Sequence, residues 1–154
     1  MLSVKLICVG KLSEKYYLEA QKEYEKRLKK FVKLNIIELQ DEKTSTNKKV
    51  VLAKEAERIN AKLQDEYIIA LDIKGESFSS EQWASDIQDL MTKGVSKICF
   101  IIGGSYGIDQ SVLTKVHKRI SFSKFTFSHN LARIIFLEQF FRINKIISNE
   151  PYHK

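Results

Sequence analysis

The sequence predicts an α/β fold, a mostly parallel sheet with helices on both faces. Short apolar runs alternate with longer amphipathic stretches from one end of the chain to the other. One proline, Pro151, and no Gly/Ser-rich linker interrupt that alternation. Strict strand–helix alternation implies parallel crossovers, whose strands are buried on both faces and read as continuous apolar runs. The length of 154 residues and a hydrophobic share of 44% fit one domain over 1–154, with too much apolar surface for a disordered chain.

The elements follow in order. Residues 3–9 read as a strand. Ser13 is placed to cap a helix reaching residue 30, with Tyr17, Tyr24, Leu28 and Phe31 at helical spacing. A second strand spans 34–39. A helix spans 47–63, with Leu52, Ala56, Ile59 and Leu63 on one face. Tyr67 to Leu71 is a third strand ending at Asp72. Ser79 and Gln82 form a capping-box pair opening a helix with the stripe Trp83, Ile87, Leu90 and Met91, closed by Gly94. A fourth strand, 98–102, runs into Gly103-Gly104-Ser105-Tyr106-Gly107. Asp109 caps a helix to about residue 119, a fifth strand covers 120–127, and the last helix covers 129–147. Ligands of such sheets bind beyond the carboxyl ends of the strands, so the loops after Leu71, Ile102 and Phe127 are the places to search.

Charge narrows the partner. The net charge is +7. Residues 1–50 carry 12 basic and 7 acidic side chains, residues 51–100 carry 6 and 9, and residues 101–154 carry 8 and 3. The positive field belongs to the two ends, and it points to an anionic partner, nucleic acid before membrane. Cys8 and Cys99 each sit in an apolar run and read as buried small hydrophobes. No Cys/His spacing suits a metal, and His117, His129 and His153 are scattered. With no secretory leader pattern and no apolar run near ~20 residues, the expectation is a cytoplasmic protein that does not enter a membrane.

Three segments invite chemistry. The glycine loop after the fourth strand lets backbone approach a ligand. It is neither the G-x-G-x-x-G dinucleotide fingerprint nor a P-loop, which disfavours a nucleotide-dependent oxidoreductase. Alone, it fits a tight strand-to-helix turn as well as a cofactor loop. The last helix is apolar on all sides, which a single core-facing stripe does not explain, so a second subunit is the expected cover. Its Glu138 and Arg142 are i,i+4 neighbours, worth ~0.3–0.5 kcal/mol as a plain ion pair. His129 and Arg133 share a face of it. The tail Asn149-Glu150-Pro151-Tyr152-His153-Lys154 places an aromatic ring, an imidazole and an ammonium after a stiffening proline, as a tail docked over a site would. The usual alternative is a frayed end.

Taken together, these residues resemble a known family. The glycine loop, Ser123-Lys124-Phe125-Thr126-Phe127-Ser128-His129, Leu131-Ala132-Arg133-Ile134, Glu138-Gln139, Phe141-Arg142 and Glu150-Pro151-Tyr152-His153-Lys154 resemble the large-subunit ribosomal RNA methyltransferases H, a branch of the SPOUT methyltransferases. The resemblance includes the opening Lys5-Leu6-Ile7-Cys8-Val9-Gly10-Lys11-Leu12. It implies a SPOUT fold with a C-terminal trefoil knot, a homodimer, and S-adenosyl-L-methionine as cofactor. It places the cofactor against Leu71, Gly103 and Gly104, and Phe122, Ser123, Lys124, Phe125, Thr126 and Phe127. The implied reaction is methylation of N3 of pseudouridine at position 1915 of 23S rRNA in the assembled ribosome.

A proton must leave N3 as it attacks, so the catalytic candidates are Glu138, His129 and His153, unranked, with Tyr152 to stack on the base and Arg142 to stabilise it. Arg133, Arg142 and Lys154 are the candidates to hold RNA phosphate. Phe122 and Phe125 stand where aliphatic residues or Met are usual, Asn130 where Gln is common, and Phe141 where Tyr is common. Those swaps keep bulk, and backbone contacts to a cofactor survive them. A non-catalytic RNA-binding α/β protein and a SPOUT enzyme acting on tRNA are the competing readings.

Overall fold

The computed structural model describes residues 1–154. Five strands form one sheet in the order β2-β1-β4-β3-β5, and every neighbouring pair is parallel. They are β1 (Leu2–Val9), β2 (Val32–Leu39), β3 (Tyr67–Ser77), β4 (Lys97–Ile102) and β5 (Lys118–Ser121). The helices are α1 (Lys15–Leu28), α2 (Lys48–Asn60), α3 (Ser80–Thr92), the short α4 (Gln110–Leu113) and α5 (His129–Ile147). The expected α/β architecture is therefore present.

Each sheet face has its own core, as parallel crossovers require. On one side Leu6, Phe100, Ile69 and Trp83 pack with Phe136, Phe140 and Leu137 of α5. On the other, Ile7, Val9 and Ile101 pack with Ala56, Ile59 and Val112. Cys8 and Cys99 are buried, one in each core.

Local signals act where expected at several ends. Asn47 Oδ1 accepts from Lys49 N at 3.0 Å and starts α2. The Ser79–Gln82 capping box closes in both directions, at 3.1 and 2.9 Å. Gly94 takes φ +93° after α3, the left-handed stop that glycine permits.

Four expectations are corrected. Ser13 does not cap α1: its hydroxyl bonds the Glu14 carboxylate at 3.2 Å, and Glu14 takes the cap position without a side-chain bond. The helix after Asp109 stops at Leu113 rather than near residue 119, because the His117 backbone N–H donates to Ile68 O and its ring Nδ1 accepts from Ile68 N. That pair joins residue 117 to the edge of β3. β5 ends at Ser121 rather than 127, because Ser121 Oγ donates to Ser123 O and Ser123 Oγ accepts from Phe125 N, turning the chain. β3 runs on past Leu71 to Ser77 after a bulge, with Asp72 Oδ1 accepting from Lys74 N.

The sides of α5 also differ from expectation. Within the chain it packs on α1, α3 and β4, which cover much of its apolar surface. What stays open is a strip led by Leu131, 39% exposed, beside half-buried Ile134 and Ile135.

Candidate active site

Two parts of the chain are linked by hydrogen bonds. The first is the end of α5 with the tail. Asn149 adopts φ 54°, and Glu150 N donates back to Lys145 O at 2.9 Å, a left-handed turn that folds the tail onto the helix. Tyr152 therefore lands edge-on against Phe141, with ring centroids 4.9 Å apart. Glu150 fastens the turn by bonding Lys145 at 2.5 Å and Lys30 at 2.9 Å.

Helical spacing puts Glu138 and Arg142 on one face, and the tail arrives above them. Glu138 Oε1 accepts from Arg142 Nε at 3.1 Å and Nη2 at 2.5 Å, and from the Tyr152 hydroxyl at 3.2 Å. Arg142 lies 4.8 Å over the Tyr152 ring, and its Nη1 reaches His153 Nδ1 at 3.2 Å. His153 Nε2 in turn meets Glu81 Oε1 at 2.7 Å, on the first turn of α3. A guanidinium only donates, so Nδ1 accepts and the ring proton sits on Nε2, facing Glu81. Burial and then the Glu138 charge raise the Tyr152 phenol above its usual range. The bond to Glu138 raises Arg142 further, and the bond to His153 lowers the Glu81 carboxyl. Of the expected catalytic and RNA-binding residues, Glu138, Arg142, Tyr152 and His153 thus come together, while Lys154 is exposed at the end.

His129 and Arg133 lie elsewhere. His129 opens α5, nine residues before Glu138, about 13 Å along the axis. Its ring sits against Gly10. Arg133 is 1% exposed and already engaged: Nη1 donates to Glu38 Oε2 at 2.6 Å and Gln21 Oε1 at 3.1 Å, and Nη2 to Gly10 O at 3.1 Å. Its guanidinium ties α5 to the β1–α1 turn and to β2 and does not face solvent. Burial pushes the Glu38 carboxyl up, but the bonds from Arg133 and Leu12 N outweigh it and hold the carboxyl low.

The second part is the carboxyl edge of β4, β3 and β5. Leu71 pairs with Ile102 on one side and Ile120 on the other, so the point where β3 bulges lies level with the ends of β4 and β5. Gly103 begins a turn closed by Gly107 N donating to Gly104 O at 3.0 Å. A Cβ on Gly103 would run into the Gly107 carbonyl. Beside Gly104 lies Glu55, 4% exposed; its Oε2 accepts from Glu42 N at 2.9 Å, and its Oε1 has no partner. Burial raises the Glu55 carboxyl. Along 122–127, Phe125 is 79% exposed while Phe122 and Phe127 turn inward. They line a cleft of about 340 Å³ with Trp83, Ile120 and, at its rim, Ser80 and Gln139.

A hydrogen-bond chain joins the two parts. Ser80 Oγ donates to Gln139 Oε1 at 2.6 Å, and Gln139 Nε2 donates to Glu138 Oε2 at 2.7 Å. No sequence motif pointed to Ser80, Glu81 and Glu55. The capping box at Ser79 was the one signal near the first two, because it fixes where the first turn of α3 points.

The family profile described as "Predicted SPOUT methyltransferase" matches residues 2–153. The chain belongs to the SPOUT methyltransferase family. Among similar curated proteins are the ribosomal RNA large subunit methyltransferases H of Clostridium acetobutylicum, 46% identical over 99% of this chain and 100% of that one, and of Clostridium novyi, 47% identical over the same shares. The protein of that name from Bacillus pumilus is 43% identical with the same coverage. Among solved structures, a probable methylase family protein from Haemophilus influenzae Rd KW20 superposes with a TM-score of 0.54, at 11% identity, over 98% of this chain and 70% of its own; this likeness concerns the fold alone.

The cofactor of a SPOUT methyltransferase is S-adenosyl-L-methionine, and the strand edge suits it. The cleft offers apolar aromatic walls with hydroxyl and amide groups at its rim. Trp83, one of those walls, has an indole N–H without a partner in the chain. Gly103 has no room for a side chain, so at that position the turn presents backbone N–H and C=O groups. No group of three His, Cys, Asp or Glu side chains is gathered in metal-binding geometry, and no helix is long and apolar enough to cross a membrane.

Proposed function

We propose that this SPOUT methyltransferase transfers a methyl group to N3 of a pseudouridine in 23S rRNA. It acts as a homodimer on the assembled ribosome in the cytoplasm. The observation that carries the reading is the end-to-end match, at 43–47% identity, to relatives named for that class of RNA. The tail cluster beside the cleft supports it chemically.

When bound, S-adenosyl-L-methionine would supply an electrophilic methyl carbon, its S–CH₃ bond breaking so that the neutral thioether is the leaving group. The strand-end segments at Leu71, Gly103, Gly104 and 122–127 are assigned to hold it, largely through backbone. The chain's remaining task is to hold the base in line, keep water out and take up the N3 proton as the N–CH₃ bond forms. Glu138 and His153 lie in the cluster beside the cleft; His129, about 13 Å away along α5, is the weaker candidate. In the free protein Arg142 occupies both Glu138 and His153. Base entry that draws Arg142 toward the RNA frees a lone pair on His153 Nδ1 and a carboxylate oxygen on Glu138. Arg142 then stabilises the negative charge developing on the base, and Tyr152 provides a stacking face.

The strip of exposed Leu131 and half-buried Ile134 and Ile135 supports pairing of two copies through α5. A knotted path belongs to the same reading, supported by β5 lying against β3 while α5 returns across β4 to α1. The catalytic unit is taken to be the whole of 1–154.

Mass spectrometry of 23S rRNA from a deletion strain tests the reaction. The expected result is one pseudouridine lacking its methyl group, and an unchanged modification map refutes it. Deleting residues 152–154 is expected to abolish methylation while dimers persist; full activity of that truncation refutes the role of the tail.

A further inference from the structure

We infer that the groove between the end of α1 and the C-terminal tail is the docking channel for the RNA backbone that flanks the methylated base. This deepens the proposed function and rests on it. The groove is shallow and open to solvent, with a volume of about 640 Å³. Five cations line it: Lys26, Arg27, Lys29, Lys30 and Lys145. Two carboxylates offset them, since Glu23 bonds Arg27 at 2.9 Å and Glu150 bridges Lys30 and Lys145. Five cations against two carboxylates leave a local excess of three positive charges.

The excess exceeds what helix stability asks for. A helix carboxyl end holds about half a negative charge, which one or two cations satisfy. Lys26 and Lys29 form no ion pair and no side-chain hydrogen bond, and both border the groove. They are solvated charges that a phosphate can take over with release of its counterions.

The chain order explains where the charge comes from. α1 belongs to the basic first third of the sequence and Lys145 to the basic last third, while the acidic middle contributes nothing to this groove. Folding brings the two basic ends together. The groove also leads to the reaction: Tyr152 is at once its wall and a hydrogen-bond partner of Glu138. Arg27, held 5.5 Å from the Tyr24 ring and 5.7 Å from the Phe141 ring, adds the aromatic-backed guanidinium suited to nucleic acid.

The test uses the full chain as wild type, as Lys26→Ala/Lys29→Ala and as Lys26→Arg/Lys29→Arg. Binding to purified ribosomes is measured between about 0.05 and about 0.2 M salt, alongside methylation, cofactor calorimetry and sedimentation. The alanine pair is expected to weaken ribosome binding about tenfold and to flatten the slope of log K against log salt by about 1.5. The arginine pair keeps wild-type binding, and all three proteins bind cofactor and sediment alike. Wild-type affinity and slope in the alanine pair overturn the inference. So does equal weakening by the arginine pair. A changed sedimentation of the alanine pair also overturns it, by making the groove a contact between copies of the chain. If the binding differences appear and the wild type methylates no ribosomal RNA, the channel stands and the proposed reaction falls.

Discussion

Glu38 and Arg133 form one ion pair, yet removing Glu38 is expected to cost more stability than removing Arg133. The reason is unequal access to water: the Arg133 side chain is 1% exposed and the Glu38 side chain 35%. Glu38→Ala strands a buried guanidinium with only the neutral Gln21 and Gly10 oxygens. Breaking a fully buried pair costs about 3–5 kcal/mol, and partial solvent access at Glu38 places this case at the lower end, about 3 kcal/mol. Arg133→Met keeps the apolar stem and leaves a carboxylate that water can reach and that still accepts from Leu12 N. It forfeits the bonds to Gln21 and Gly10 but also removes the cost of burying the guanidinium, a net loss of about 1–2 kcal/mol.

At this chain length 1 kcal/mol moves Tm by about 2–4 °C, so losses of about 6–12 °C for Glu38→Ala and about 2–8 °C for Arg133→Met are expected, the first exceeding the second. Urea and thermal unfolding at pH 7 measure both. Equal losses, or a larger one for Arg133→Met, refute the reasoning. The pH dependence follows in sign: the folded-state carboxyl of Glu38 titrates below its ordinary 4.5. Its contribution is therefore present above about pH 4.5 and lost as pH falls through the folded value, where the gap between wild type and Glu38→Ala narrows.

Three further outcomes are expected. Gly103→Ala pushes a methyl group into the Gly107 carbonyl and should lower cofactor affinity by calorimetry, whereas Gly94→Ala, at φ +93° with open space around it, should cost about 1 kcal/mol of stability and leave cofactor binding unchanged. The Cys8 and Cys99 thiols are both pushed up to about 12 by burial, so iodoacetamide at pH 8 should label neither until the chain is unfolded in urea. Ser79→Ala removes the cap bond to Gln82 N and should cost about 1 kcal/mol, read as a Tm drop of about 2–4 °C with methylation retained.

Elements governed by their own residues were legible in the sequence. The expected span of α5, 129–147, matches the observed one, because an uninterrupted apolar helical pattern is local information. The ends of α4 and β5 were not legible. His117 leaves a helical pattern to bond Ile68, 49 residues away, and Ser123 turns the chain with its own side chain inside a strand-like run. Both are choices between local propensity and a competing hydrogen bond, and the sequence does not say which wins.

The site divides the same way. Glu138, Arg142, Tyr152 and His153 could be gathered from helical spacing and an unusual tail. Arg133 carried the same surface-cation signature as Arg142. Only the fold shows that Glu38 and Gly10 enclose it.

The alignment of the β3 bulge with the ends of β4 and β5 bears on how this enzyme tolerates substitution. Neighbouring parallel strands stand about 4.8 Å apart, so three of them span roughly 10 Å of edge whatever side chains follow. An address set by strand register is insensitive to drift in the segment that reads it. In the proposed cofactor site that segment is 122–127, in which Phe125 lies almost wholly in solvent. Exchanges at Phe125 should be nearly neutral for binding, while a one-residue insertion in β5, which moves the exit itself, should abolish it.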